Sequence, residues 1–380
     1  MKLIHISDLH LGRTVNQVSL LADQEYLLME QIAPLIKEKQ ADVLLISGDI
    51  FDTYNPSNES MDLYDRFLNK VHSYKTKIIA ISGNHDSPIR IEHHQKLLMD
   101  SGYYVSASFT GSLMKVTLND KFGPVNFYLL PYFTPEQARR FFPDETKVNT
   151  TYDEAVKLTI GKEQINLKER NVILSHQYVV GASRDPSDTK PLLRNDVSDA
   201  VGLDAYNDFD YVALGHIHKT LRLRNNTIVY PGSILPYCIG ESNDRYVSYV
   251  ELNEKNSLKS ELIPIYPKRK LLTLKGSYDE LIKYPTDKEN YIEIVLTDDK
   301  TSPTLASDFT ALFPYLLTIR REIKNFSSAT DSSLPEYNPS ASVFDSIQGF
   351  YKDKTGEELD EASSKIVQEI LEECLKEEKE

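Results

Sequence analysis

The sequence has 380 residues, 40% of them hydrophobic and 26% charged, with a formal net charge of −14. That length exceeds one average domain and the composition supports a real core, so two or three units are expected. The acidic balance excludes a broadly cationic nucleic-acid binder: contacts to phosphates have to come from a local basic patch, from bound metals or from a partner subunit. The last thirty residues hold 11 acidic and 5 basic side chains, net −6, which leaves −8 for the rest. No run approaches the roughly 18 apolar residues of a membrane span. The opening MKLIHISDLH has none of the parts of a signal peptide. Cys238 and Cys374 are far apart and are expected to be free thiols rather than a disulfide. The expectation is a cytoplasmic chain.

In chain order, five apolar runs each lead into a polar motif. Lys2–Ile6 precedes Asp8-Leu9-His10, and Val43–Ile46 precedes Gly48-Asp49-Ile50-Phe51-Asp52. Ile78–Ile81 precedes Gly83-Asn84-His85-Asp86, Val172–Leu174 precedes Ser175-His176, and Tyr211–Leu214 precedes Gly215-His216-Ile217-His218. Strands buried on both faces read as such continuous runs. Open α/β sheets bind ligands at the carboxyl ends of their strands. Helical spacing appears over Ala22–Lys39, with a kink expected at Pro34, and over Ser60–His72 and Ile91–Asp100. From Tyr103 strands dominate: Leu113–Leu118, Val125–Leu130, Thr227–Tyr230 and Tyr246–Leu252. The reading is a layered α/β domain over 1–266. A smaller unit, 267–326, has strands at Leu271–Leu274 and Tyr291–Leu296, a helical piece near Tyr278–Ile282, and a strand or helix within Ala311–Ile323. Residues 327–342 are polar with two prolines, the composition of a linker. Residues 343–380 read as a helical hairpin with one apolar face from Val343, Phe344, Ile347, Phe350 and Tyr351. A second comes from Ile366/Val367, Ile370/Leu371 and Cys374/Leu375. So few residues do not build a stable core. Either they pack back on their own domain or they dock on an external partner; the polar linker favours the partner.

Phosphodiester hydrolysis needs a nucleophile at neutral pH and neutralisation of a developing negative charge. Two metals roughly 3.5–4 Å apart supply both. Asp49 suits a bridging ligand, as the lone carboxylate directly after Gly48. Asp8/His10 and His216/His218 are i, i+2 pairs, which an extended chain places on one face. Mixed His, Asp and Asn donors favour Mn, Fe or Zn over Mg or Ca. His85 need not be a ligand: facing a substrate, it can protonate the leaving alkoxide. Asp52 can accept a hydrogen bond from His85 and fix its tautomer.

HISDLHLG, GDIFD, GNHD, SHQ, GHIH and the following YPGS resemble the calcineurin-like metallophosphoesterases. Within them the chain is most similar to the SbcD family of nuclease subunits. The likeness extends through Tyr230-Pro231-Gly232-Ser233 to Gly240-Glu241 and to Thr355-Gly356-Glu357-Glu358-Leu359. It implies that Asp8, His10, Asp49 and His218 hold one metal and Asp49, Asn84, His176 and His216 the other, with His85 catalytic. It implies two Mn²⁺ ions and 3′→5′ exonuclease activity on duplex ends. It also implies endonuclease activity on single strands and hairpins, in DNA end processing, repair, recombination and replication. It implies a capping domain after Tyr266, a homodimer, and a tail hairpin bound to an SbcC-type coiled-coil ATPase that gates access to duplex DNA. The Ser60–His72 and Ile91–Asp100 helices are the dimer-contact candidates carried over from the family.

Bland readings hold elsewhere. His72, His93 and His94 sit outside any motif, and His5 belongs to a core strand. Asp86 is a candidate cap of a helix or turn. Lys219, Arg222 and Arg224 form a basic stretch that faces DNA or solvent, with Arg13 and Arg184 weaker candidates. The competing enzyme reading is a stand-alone phosphodiesterase or phosphatase on small-molecule or protein substrates. The competing non-enzyme reading is a scaffold for ATPase and DNA, which the intact ligand set disfavours.

Overall fold

The apolar runs that end in polar motifs lie at the centres of two packed six-stranded sheets. The computed structural model describes residues 1–93, 95–180, 200–298, 304–322, 343–355, 358, 360, 363–368 and 370–371. His94, Arg184, Cys374, the linker 327–342, the turn at 356–357 and the end of the tail lie outside them. In chain order the strands are β1 Lys2–Ile6, β2 Thr14–Val15, β3 Val18–Ser19, β4 Val43–Ser47, β5 Lys77–Ile81 and β6 Tyr103–Ser106. There follow β7 Met114–Asp120, β8 Gly123–Leu130, β9 Arg170–His176, β10 Tyr211–Gly215, β11 Leu221–Leu223 and β12 Ile228–Tyr230. The last are β13 Arg245–Leu252, β14 Leu258–Ile265, β15 Leu271–Gly276, β16 Tyr291–Leu296 and β17 Leu316–Arg321.

The first sheet has the order β14-β13-β1-β4-β5-β6 and the second β11-β12-β10-β9-β8-β7. In the first, β1, β4, β5 and β6 run parallel, and β13 and β14 extend the β1 side by antiparallel pairing; in the second, the four central strands run parallel, with antiparallel β11 and β7 at the edges. Alternate side chains divide each strand between two cores. Leu3, Leu45, Ile79, Val172, Leu174 and Ala213 fill the space between the sheets. Leu44, Ile46 and Ile78 face helices α1 Leu21–Tyr26, α2 Ala33–Lys39 and α3 Asn58–Ser73 on one side. On the other, Ile173, Val212 and Leu214 face the helical layer that follows β8. The result is helix, sheet, sheet, helix, the layered α/β sandwich that the sequence predicts.

Three local expectations change. Between α1 and α2, Leu27–Ile32 is π-helical, with the Ala33 N–H reaching Leu28 O. The irregularity thus precedes Pro34, where the missing N–H interrupts the ladder. The continuous helix expected over Ile91–Asp100 is broken into α4 Pro88–Ile91, α5 Gln95–Leu98 and a 3₁₀ turn Met99–Ser101. No side chain of α5 is buried, so no core supports a longer helix. Helices α6 Pro135–Phe141 and α7 Tyr152–Gly161 interrupt the stretch from Tyr103 in which strands are expected to dominate, between Val125–Leu130 and the later runs. Both open with a full capping box, Thr134 with Gln137 and Thr151 with Glu154. Ala311–Ile323 contains both alternatives: α9 Leu305–Leu312 ends there and β17 follows, with α8 Tyr278–Leu281 earlier.

The chain divides into two compact units. The first comprises Met1–Leu274, Ile282–Ile294 and Ser302–Ile319. It holds the sandwich and the adjoining parts of the small sheet ordered β15-β16-β17. The second comprises Lys275–Leu281, Val295–Thr301 and Arg320–Glu380. It includes α10 Val343–Thr355, on which Val343 and Phe350 are exposed. Residues 363–368 are also helical, and Ile366 is exposed. Among the described residues no helix is long and apolar enough to cross a membrane.

Candidate metal centre

The carboxyl ends of β1, β4, β5, β9 and β10 meet at one edge of the sandwich, and loops tie them together. Asp8 N–H donates to Gly48 O at 3.1 Å, and His10 N–H to Asp49 O at 2.9 Å. The buried Asp86 carboxylate accepts from Ile50 N–H, Phe51 N–H and Gly83 N–H at 3.1, 2.9 and 2.8 Å. It therefore joins the loop after β4 to the loop after β5, a wider role than capping one turn. Asp8, His10, Asp49 and His216 have φ of 52°, 42°, 50° and 94°. Left-handed backbone at four non-glycine residues is unfavourable unless the surroundings enforce it, and it concentrates at functional sites. It also changes the reason for convergence: Asp8 and His10 meet in a bent loop, not on one face of an extended strand.

All seven expected ligands come together. One cluster of donor atoms comprises Asp8, His10 and His218, and another Asp8, Asp49 and His176. His10 Nε2 lies 3.0 Å from His218 Nε2 and 3.5 Å from an Asp49 oxygen. His176 Nε2 lies 3.3 Å from Asp49 Oδ2 and 3.2 Å from Asn84 Oδ1. Asn84 Oδ1 is also 3.0 Å from His216 Nδ1, and Asp8 Oδ1 accepts from His216 N–H at 2.9 Å. Two glycines permit this crowding. A Cβ on Gly83 would strike Asp49 Oδ1, and one on Gly215 would strike Ser47 O and lie 2.7 Å from His176 Nδ1.

The donor set fits a divalent cation. His176 Nδ1 sits 2.7 Å from Ser47 O. A carbonyl only accepts, so Nδ1 carries the hydrogen and Nε2 of the neutral ring points a lone pair at two oxygens that are themselves acceptors. Buried acceptors facing one another need a cation or a proton between them. In the metal-free chain the proton takes that place. Burial alone would lower His176, but the adjacent Asp49 charge raises it to about 9. Burial would raise Asp49, yet His176 and His10 hold it well below the ordinary carboxylate value. His10 is lowered, by burial first, against the pull of Asp52 and Asp49.

His85 borders this cluster, its ring centroid 4.8 Å from that of His10. Its N–H donates to Asp49 Oδ1 at 2.9 Å, and its Nδ1 lies 2.9 Å from the main-chain O of Asp52. The expected partner was the Asp52 carboxylate, which instead meets Arg13 Nη1 at 2.8 Å and His10 Nδ1 at 3.4 Å. Burial raises Asp52, and hydrogen bonds from His10 and Arg13 outweigh it, so the carboxyl is lowered. Arg13 is thus occupied at the site, and the Arg224 guanidinium reaches the carbonyls of Leu203 and Tyr206. Lys219 and Arg222 are exposed. His5 is buried between the sheets beside Tyr211, and burial pushes it down to about 3, as befits a core histidine.

Several supporting residues escaped the sequence reading. Glu241 is buried 3.8 Å from His218 Nδ1 and is paired with Arg245 at 2.6 Å. Arg245 also donates to His218 O at 3.0 Å. Tyr237 O–H donates to Leu9 O, and Gln24 hydrogen-bonds to the loop that carries His10. Gly240-Glu241 lies in the segment of family likeness, but Gln24 has no local signal, since it lies 14 residues from His10.

The calcineurin-like phosphoesterase pattern matches residues 1–220. A pattern described as the type 5 capsule protein repressor C-terminal domain matches residues 267–379. The SbcD subunit of the nuclease SbcCD from Staphylococcus saprophyticus is 30% identical over 387 residues, covering 99% of both chains. Two solved structures are more loosely similar. Calcineurin-like phosphoesterase YfkN from Bacillus subtilis has a TM-score of 0.36 and 13% identity, over 70% of this chain and 90% of that one. TT1561 of Thermus thermophilus has a TM-score of 0.36 and 10% identity, over 69% and 98%. The full-length likeness and the converging ligand set lead to one conclusion: this chain belongs to the calcineurin-like phosphoesterases, metal-dependent phosphodiesterases, in the line of the SbcD nuclease subunits.

Proposed function

We propose that this chain is a DNA nuclease subunit that works with two divalent metal ions, most simply Mn²⁺, and with an SbcC-type coiled-coil ATPase. It would act as a 3′→5′ exonuclease on duplex ends and an endonuclease on single strands and hairpins, in the repair, recombination and replication of DNA. The observation that carries this is the convergence of Asp8, His10, Asp49, Asn84, His176, His216 and His218 at one edge, in a chain alike end to end to a named nuclease subunit. Asp8, His10, Asp49 and His218 would hold one ion, and Asp49, Asn84, His176 and His216 the other. Bound there, such ions neutralise phosphate charge and make water nucleophilic at neutral pH.

The protein's own part is orientation and proton transfer. With Nδ1–H donating to the Asp52 carbonyl, the His85 ring is fixed and its Nε2 is left to hand a proton to the leaving oxygen. Asp52 anchors Arg13 and His10 and acts on His85 through its main chain.

The working domain map is nuclease domain 1–266, capping domain 267–326, linker 327–342 and ATPase-binding hairpin 343–380. Exposed Val343, Phe350, Ile366 and Ile370 support a docked tail. The homodimer contact is proposed at Ser60–His72 and Ile91–Asp100, where Leu97 is 73% accessible beside the 83% accessible Ile89. The proposed location is the cytoplasm.

The test is cleavage of 3′-labelled and 5′-labelled oligonucleotides with Mn²⁺ by the parent and His85→Ala proteins. Cleavage by the parent alone supports the reading. Hydrolysis of a small diester with no DNA cleavage would leave the metal site and move the substrate to the stand-alone phosphodiesterase reading.

A further inference from the structure

The His10 loop turns left-handed at Asp8, His10 and Gly12, with φ of 52°, 42° and 89°. Such a loop does not hold itself in place. One side chain from another element templates it. Gln24, buried on α1, donates from Nε2 to Leu9 O at 3.0 Å and His10 O at 2.8 Å, and its Oε1 accepts from Gly12 N–H at 3.0 Å. A further contact at 3.2 Å reaches Tyr237 O–H, which donates to Leu9 O. The amide's donors and its acceptor thus all serve this one loop or its Tyr237 support.

The adjacent residue faces elsewhere. Asp23, also buried, accepts from Arg269 Nη1 at 2.7 Å and from Tyr291 O–H at 2.6 Å. Arg269 donates from Nη2 to Tyr315 O–H at 2.8 Å, and its guanidinium lies 4.3 Å from the Tyr315 ring centroid. Tyr291 and Leu317 pack into the same core as α1. Two neighbouring residues of a six-residue helix therefore grip the metal loop on one side and residues 269, 291 and 315 on the other.

We propose that Gln24 is a positioning residue for the Asp8/His10/His218 metal site. Through Asp23, the strength of that site then depends on how Arg269 and Tyr291 are seated. The idea rests on the metal-centre reading above. Outer partners that orient metal ligands typically change metal affinity by about 10–100-fold when removed. Gln24→Glu keeps the shape but replaces two donors with an acceptor facing two carbonyls.

The test uses the full-length, metal-free chain titrated with Mn²⁺ by calorimetry and with Co²⁺ by visible absorption. The variants are Gln24→Glu, Gln24→Met, Asp23→Asn and Arg269→Ala, each checked for parental thermal unfolding. Gln24→Glu is expected to weaken one of two ions by about 10–100-fold and change the Co²⁺ spectrum, leaving the other ion in place. Asp23→Asn and Arg269→Ala, remote from the ligands, are expected to weaken the same ion by less. Two ions bound with parental affinity and spectrum in every variant would overturn the inference alone. A Gln24 effect with unchanged Arg269→Ala would overturn the link through Asp23. A parent chain that takes up no ion would overturn both the inference and the metal reading. If the Gln24 variants do not fold, Asp23→Asn and Arg269→Ala still decide the link.

Discussion

His85 Nδ1 lies 2.9 Å from the main-chain oxygen of Asp52, while the Asp52 carboxylate turns to Arg13 and His10. The two side chains therefore have separable roles. His85→Ala should lower cleavage by about 10²–10⁴-fold, the usual span of a general acid, with metal binding retained. Asp52→Ala should lower it by less, about 10–100-fold, and weaken metal binding, as loss of a ligand-orienting partner does. Rates and Mn²⁺ titrations of both variants check this; equal losses of rate, with metal binding intact in each, would contradict it.

Gly215 is a steric requirement. A Cβ there meets the backbone oxygen of Ser47 and the ring of His176, both buried. Gly215→Ala should destabilise the chain by about 1–3 kcal/mol, as overpacking does, and weaken binding at the metal position proposed for His176. Thermal unfolding with and without Mn²⁺ reads both effects.

Removing metal should loosen the centre. Asp8, Asp49, His10, His176 and His218 bring their donor atoms close together, an arrangement that a divalent cation would hold. A ligand at 100 times its Kd stabilises the folded state by about 2.7 kcal/mol. Addition of excess EDTA should therefore lower Tm measurably, and Mn²⁺ should restore it.

Acid sensitivity should centre on Asp120 and Arg170. The buried guanidinium grips Asp120 through both Nη atoms, at 2.5 and 3.0 Å. Burial by itself would raise Asp120, but hydrogen bonds from Arg170 and from the Met1 ammonium, 2.6 Å away, hold its carboxyl well below the ordinary value of 3.8. A depressed carboxylate adds stability above its unfolded value and loses it as pH falls toward its folded value. The Tm difference between the parent and Asp120→Asn should be full near neutrality and narrow progressively below pH 3.8. A difference that stays constant down to strongly acid pH would count against the pair.

The tail should be separable from catalysis. Deleting 343–380 should leave Mn²⁺-dependent cleavage of single strands intact and abolish capture by the coiled-coil ATPase. Unfolding of the truncated chain, followed by circular dichroism, would show instead that the exposed face of α10 supports the main fold.

Much of the site is legible in sequence because each ligand sits just past a strand whose apolar run is unmistakable. The strand ends fix the five motifs, and short apolar runs bounded by polar motifs read as strands buried on both faces. Helices α6 and α7 carry a local start signal in their capping boxes, yet they fall in a stretch where strands were expected to dominate. The breaks in Ile91–Asp100 were less so, because helical spacing does not reveal whether a core exists to receive the apolar face.

The sequence alone determined which residues could bind metal and that they follow buried strands, because residue chemistry and a continuous apolar run are local properties. Tertiary structure decided how they meet. Left-handed turns at Asp8, His10, Asp49 and His216, the partner of His85, and the grip of Gln24 on a loop 14 residues away all depend on which backbones are brought together. Hydrogen bonds between segments far apart in the chain carry no signature in the spacing of either one.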